Sequence, residues 1–155
     1  MDVKRELIRD HEDHANLLEQ LADAVEAKRD AEHLRKCWVT FEENLLDHLV
    51  TEERFLFTTT VQAHRLEIEQ LRVEHRLIRQ TVVGIGALLE AGVLEKRAID
   101  ELRTLLAAHG EHEERSLHRW LEIDEGILAH RGVMAIRNRR ERSATRLRDH
   151  DESTD

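Results

Sequence analysis

Two copies of one pattern, H-x-x-x-E, stand in this 155-residue chain: His48 with Glu52, and His109 with Glu113. A spacing of i, i+4 sets both side chains on one helix face, one turn apart. Two further histidines, His14 and His75, fall in apolar stripes of the same kind. All six residues therefore occupy positions that face a core. A buried imidazole or carboxylate without a partner costs on the order of several kcal/mol, so something must compensate the set. Imidazole nitrogens and carboxylate oxygens are good ligands for transition-metal ions, and facing helices can present them inward.

The two patterns belong to an internal repeat. Shifting the chain by 61 residues superposes His14 on His75, His48 on His109 and Glu52 on Glu113. The triplet Glu52-Glu53-Arg54 meets Glu114's own triplet, Glu113-Glu114-Arg115, and the apolar positions Leu7, Leu17, Phe41 and Leu45 meet Ile68, Ile78, Leu102 and Leu106. Two copies of a helical hairpin account for this register.

The rest of the chain fits helices that would carry such a site. There are no prolines and only six glycines, with 37% charged and 40% apolar residues. That composition argues against turn-rich β folds and for amphipathic helices with solvated outer faces. Four stripes near a 3.5-residue spacing imply four helices. Breaks are expected at Lys28–Asp30, with Asp30 as a cap, near Thr58–Val61, and at Ala91–Gly92; Gly84 and Gly86 interrupt the third stripe. Short links between helices predict an all-α, up-down-up-down four-helix bundle over residues 1–122. Trp38, Phe41, Phe55 and Trp120 are expected in its core, with Cys37 as a small buried apolar residue. Residues 123–155 form a second segment, whose stretch 131–148 carries seven arginines against one acid. An additional C-terminal helix followed by an acidic tail is expected there.

Distance along the helices brings the histidines to one level. From a link near residue 30, His14 lies about 16 residues back and His48 about 18 forward; around Gly92, His75 and His109 are each about 17 residues away. At a rise of about 1.5 Å per residue the mismatches are a few Å. A ring of four imidazoles with two carboxylates able to bridge is a dinuclear metal site. His11, one turn before His14, is the other first-helix candidate, although its partner at the 61-residue shift is Arg72. His112 fits a supporting or exposed role, and Glu53 and Glu114 either support a ligand imidazole or pair with arginines. Without a metal, the same residues would be a polar layer that fixes helix register.

The ordered set H…HxxxE…H…HxxxE, in EDHANLL, HLVTEER, VEHRL and HGEHEER, resembles the hemerythrin-like, or HHE cation-binding, domains over roughly residues 5–120. The resemblance implies a non-haem di-iron centre with an open face for oxygen, peroxide or nitric oxide. It would place His14 and His48 on one iron and His75 and His109 on the other, with Glu52 and Glu113 as bridges. Oxygen-carrying members have an H-x-x-x-H pair on the third helix; here Leu71 precedes His75 by four and Arg79 follows it by four. The departure favours sensing, redox chemistry or peroxide decomposition over reversible oxygen carriage. An iron-storage or iron-sensing module without turnover is the alternative.

Other partners are disfavoured. The bundle segment 1–122 has 17 basic and 26 acidic residues, which opposes a phosphate backbone, and the sequence shows neither a membrane span nor a secretory signal. A single cysteine demands no oxidising compartment, so a cytoplasmic location is expected.

Overall fold

The computed structural model describes residues 3–60 and 64–116, with Trp120, Met134, Ala135 and Asn138. Helix α1 (Val3–Glu26) is followed by α2 (Ala31–Thr51), which continues through a π-helical turn (Glu52–Leu56) into the short α3 (Phe57–Thr60). Helices α4 (Arg65–Glu90) and α5 (Lys96–Arg115) complete the bundle. Both α2 and α5 pack against α1, and both pack against α4, so the four long helices form a square. The short links at 27–30 and 91–95 make each hairpin antiparallel. The described residues contain no strand, and the all-α four-helix bundle expected from the periodicity is the observed architecture.

Local chemistry sets the helix ends. The Asp30 carboxylate accepts a hydrogen bond from the His33 amide at 2.9 Å, capping α2. Helix α4 closes with Gly92 at φ 70°, its amide donating to the Leu89 carbonyl and that of Val93 to Leu88. That pair of bonds satisfies carbonyls which the helix end leaves open, and glycine adopts the left-handed backbone at little cost. Helix α1 closes in the same way, with Lys28 at φ 52° and amides of Lys28 and Arg29 donating to Val25 and Ala24.

Two apolar clusters fill the square. The larger, nearer the hairpin links, includes Leu21, Trp38, Phe41, Val82, Leu89 and Ile99. The smaller, toward the opposite end, is Leu7, Leu56, Phe57, Ile68, Leu71 and Trp120. Phe55, expected in the core, is only half-buried, while Leu56 and Phe57 are fully buried. The π turn explains the correction. Its extra residue, marked by the Phe57 amide bonding to the Glu52 carbonyl, rotates the inward face on by one position. Cys37 is also half-buried, and burial pushes its thiol pKa up, away from a thiolate nucleophile.

No helix among the described residues is long and apolar enough to cross a membrane. The C-terminal helix and tail expected at 123–155 lie outside the described residues, apart from Met134, Ala135 and Asn138.

Lys28 holds a backbone conformation that disfavours a side chain by about 1 kcal/mol. The variant Lys28→Gly is expected to stabilise the protein by about that amount, raising Tm by roughly 2–4 °C in a thermal melt.

Candidate metal centre

A polar layer crosses the bundle between the two apolar clusters. His14, His48, His75 and His109 are all buried there, and Glu52 and Glu113 have no solvent exposure at all. Each carboxylate reaches toward two helices. Glu52 Oε1 lies 3.1 Å from His48 Nε2, and its Oε2 lies 3.4 Å from His75 Nε2. Glu113 Oε1 lies 3.3 Å from His109 Nε2, and its Oε2 lies 3.2 Å from His11 Nε2. Donor atoms of His11, His48, Glu52 and Glu113 fall within 4.8 Å of one another, as do those of Glu52, His75, His109 and Glu113. The two groups share both carboxylates.

The first-helix member of these groups is His11. His14 sits one turn further along α1, with its ring edge-on to His48 at 5.0 Å and to Phe41 at 6.3 Å. Distance from the link favours His11 even with the link centred on residue 30: from there it lies 19 residues back and His14 16, against 18 forward for His48. The observed link is centred between Lys28 and Arg29, not near residue 30. Measured from there, His48 is about 19.5 residues forward, His11 about 17.5 back and His14 about 14.5 back, so His11 is nearer in level by about 4.5 Å. The 61-residue shift points to His14, on the same helix face as His11 and one turn from it. Aligning first helices instead by 64 residues pairs Asp10-His11 with Glu74-His75.

That second alignment also pairs two of the supporting acids, Asp10 and Glu74, which join Glu53. An ionised carboxylate can only accept, so each contact below fixes a proton on Nδ1 and turns Nε2 inward. His48 Nδ1 donates to Asp10 at 3.1 Å, His75 Nδ1 to Glu53 at 2.9 Å, and His109 Nδ1 to Glu74 at 2.8 Å. Glu53 is held in turn by Arg79 at 2.8 Å, and Glu74 by His112 at 2.6 Å. Burial works against ionisation of Glu53 and Glu74, yet Arg79 with His75, and His109 with His112, hold them below the usual glutamate range. Such carboxylate–imidazole pairs orient metal-binding histidines and raise their basicity. Asp10 and Glu74 were legible only as the acid before a histidine in two first-of-hairpin helices. Gly110, which faces the His11 ring, carried no sequence signal.

The donor set fits cations. Glu52 Oε1 and Oε2, Glu113 Oε1 and Oε2, and Nε2 of His75 and His109 are buried without a hydrogen-bond partner among the described residues. Their close approaches are out of hydrogen-bond alignment, as expected of ligand atoms arranged around common centres. The layer also attracts positive charge. Burial alone would lower the His109 pKa, but Glu113, Glu74 and Glu52 push it up to about 11. Burial likewise opposes the raised pKa of His11, which Glu113 and Glu52 impose.

The remaining histidines have other settings. His33 is exposed at the start of α2, and His64 stacks on Trp120 at 3.9 Å. His118, His130, His150 and most of 131–148 lie outside the described residues.

The model of the hemerythrin HHE cation binding domain matches residues 2–121. The chain therefore belongs to that family. No curated protein and no solved structure matches it.

A methyl group at position 110 would lie 3.1 Å from His11 Nδ1, too close unless the imidazole moves. Gly110→Ala is therefore expected to weaken metal retention about 10- to 100-fold, the usual effect of disturbing a ligand's orientation. Helix propensity should leave the chelated variant at least as stable as the chelated parent. Metal titration and melting of both forms check the pair of outcomes.

Proposed function

We propose that this hemerythrin HHE protein is a di-iron protein that binds oxygen, peroxide or nitric oxide, as a redox sensor or a peroxide-decomposing enzyme. The sharing of Glu52 and Glu113 between two histidine pairs carries the reading, because one carboxylate oxygen is turned toward each pair. His48 and the first-helix histidine would hold one iron, His75 and His109 the other. Of the first-helix candidates, the geometry favours His11 over His14. Two imidazoles and two carboxylate oxygens fill about four of six octahedral positions on each ion. A pair of irons held so would supply electron exchange with a small oxidant at the remaining positions.

The chain's own residues set the terms of that chemistry. Asp10, Glu53 and Glu74 hold three imidazoles in one tautomer and one orientation. Leu71 is fully buried within the smaller apolar cluster, where an H-x-x-x-H pair would have its first histidine. Its side chain closes that end of the layer against water and adds no ligand. That supports redox turnover over reversible oxygen carriage. An iron-storage or iron-sensing role remains the second reading, since it needs the same donors and no turnover.

Metal analysis with steady-state hydrogen peroxide assays tests the proposal. About two irons per chain and measurable peroxide loss are expected, whereas loaded protein without turnover favours the storage or sensing role. His11→Ala and His75→Ala should each lose about one iron, while His14→Ala should retain both. Equal loss in His14→Ala and full retention in His11→Ala would restore His14 as the ligand. Removing the metal should lower Tm by roughly 5–10 °C with helicity retained, because binding stabilises only the folded state. Leu71→His should slow peroxide turnover by offering a further ligand.

A further inference from the structure

The two sides of the polar layer differ. On the His75 side, Glu53 and Arg79 cover the imidazole, and Phe57 packs on it at 5.1 Å. On the His11 side the repeat's equivalent acid, Glu114, is exposed, and a cavity of about 490 Å³ opens between α1 and α5. Water occupies about 30 Å³ in the liquid, so a diatomic molecule or peroxide would fill only a small part of this space. The volume lies in the range of sites for small organic molecules.

The walls have a direction. Helices α1 and α5 run antiparallel, and small side chains along their seam, Ala15, Ala107 and Gly110, leave the space between them. Leu18, Leu45 and Leu106 supply an apolar lining. At the inner end the cavity reaches His11, His48 and His109 of the candidate centre, with His14 beside them. Glu111 and Glu114 lie toward that end. Thr104 and Arg103 line the other end, Arg103 six residues before His109 and so about 9 Å away along the helix. The Arg103 guanidinium is loosely held, 3.4 Å from Asp100 one turn back, and its side chain is 38% exposed.

We propose that this cleft binds a small organic anion with an apolar body, its carboxylate or similar group on Arg103 and its apolar end against the His11 side of the metal centre. Glu111 and Glu114, exposed at the rim near the His11 end, disfavour the reverse orientation, and a guanidinium matches a carboxylate in both charge and geometry. The inference names a substrate class for the centre under "Proposed function" and rests on that reading for its chemistry. Binding itself needs only helix side chains.

Calorimetric titration of the protein with octanoate tests it, with 1-octanol and octylamine as controls and metal counted in every sample. Octanoate is expected to bind at least tenfold more tightly than either control. Arg103→Gln should remove most of that preference, and Ala107→Phe should abolish binding by filling the cleft; Ala15→Leu serves if that variant fails to fold. Metal content should be unchanged in Arg103→Gln. Metal-loaded protein that ignores octanoate, or binds octanol equally, overturns the cleft proposal and leaves the metal centre standing. A protein that takes up octanoate as described but never holds metal supports the cleft and overturns the di-iron reading instead.

Discussion

Everything in this bundle answers to two carboxylates, Glu52 and Glu113, removed from water at its waist. Burying one ionised carboxylate without compensation would cost more than a domain of this size has in total stability. Four imidazoles around them soften that cost but leave both oxygens of each glutamate without a hydrogen-bond partner. The apolar clusters on either side are continuous enough to hold the helices together, so the layer can be kept at the expense of local stability. A cation shared between the carboxylates is the simplest compensation, and membership of a cation-binding family accords with it.

The site's near-symmetry follows from the repeat, and so does the point where it fails. His48-Glu52 and His109-Glu113 come from equivalent helices at a shift of 61, whereas Asp10-His11 and Glu74-His75 match at 64. The three-residue difference is close to one helical turn, which leaves the face unchanged and moves the level. A periodic pattern reports the face of a helix very well. It reports level only through distance from the link, and the 61-residue register selected His14 although His11 lies nearer the level of His48 on that measure. The helices, their order and the faces they bury were therefore legible, together with five members of the convergent cluster.

What was hidden had physical reasons. The π turn at Glu52–Leu56 changes the period inside one continuous rod, so a stripe projected at constant spacing carried Phe55 into the core in place of Phe57. Glu53 was legible as a possible support for an imidazole, but Asp10 and Glu74 lie 38 and 35 residues from the histidines they orient, beyond the reach of any local motif. Gly110 matters through space that it does not fill, and a single sequence offers no trace of that.

The failure of symmetry shapes access to the layer. Where Glu53 and Arg79 close over His75, the equivalent acid Glu114 is exposed, Gly110 faces the His11 ring, and the neighbouring seam carries alanines. His11 is accordingly the most exposed member of the convergent cluster, at 21%, and the cavity reaches inward along its side. A small molecule approaching by this cleft would meet His11, His48 and His109, while His75 stays covered. Two halves with the same donor set thus differ in solvent contact. In a dinuclear site that inequality would separate the ion that meets an incoming ligand from the one that stays covered. It arises here from two equivalent glutamates, Glu53 lying over its histidine and Glu114 standing in solvent.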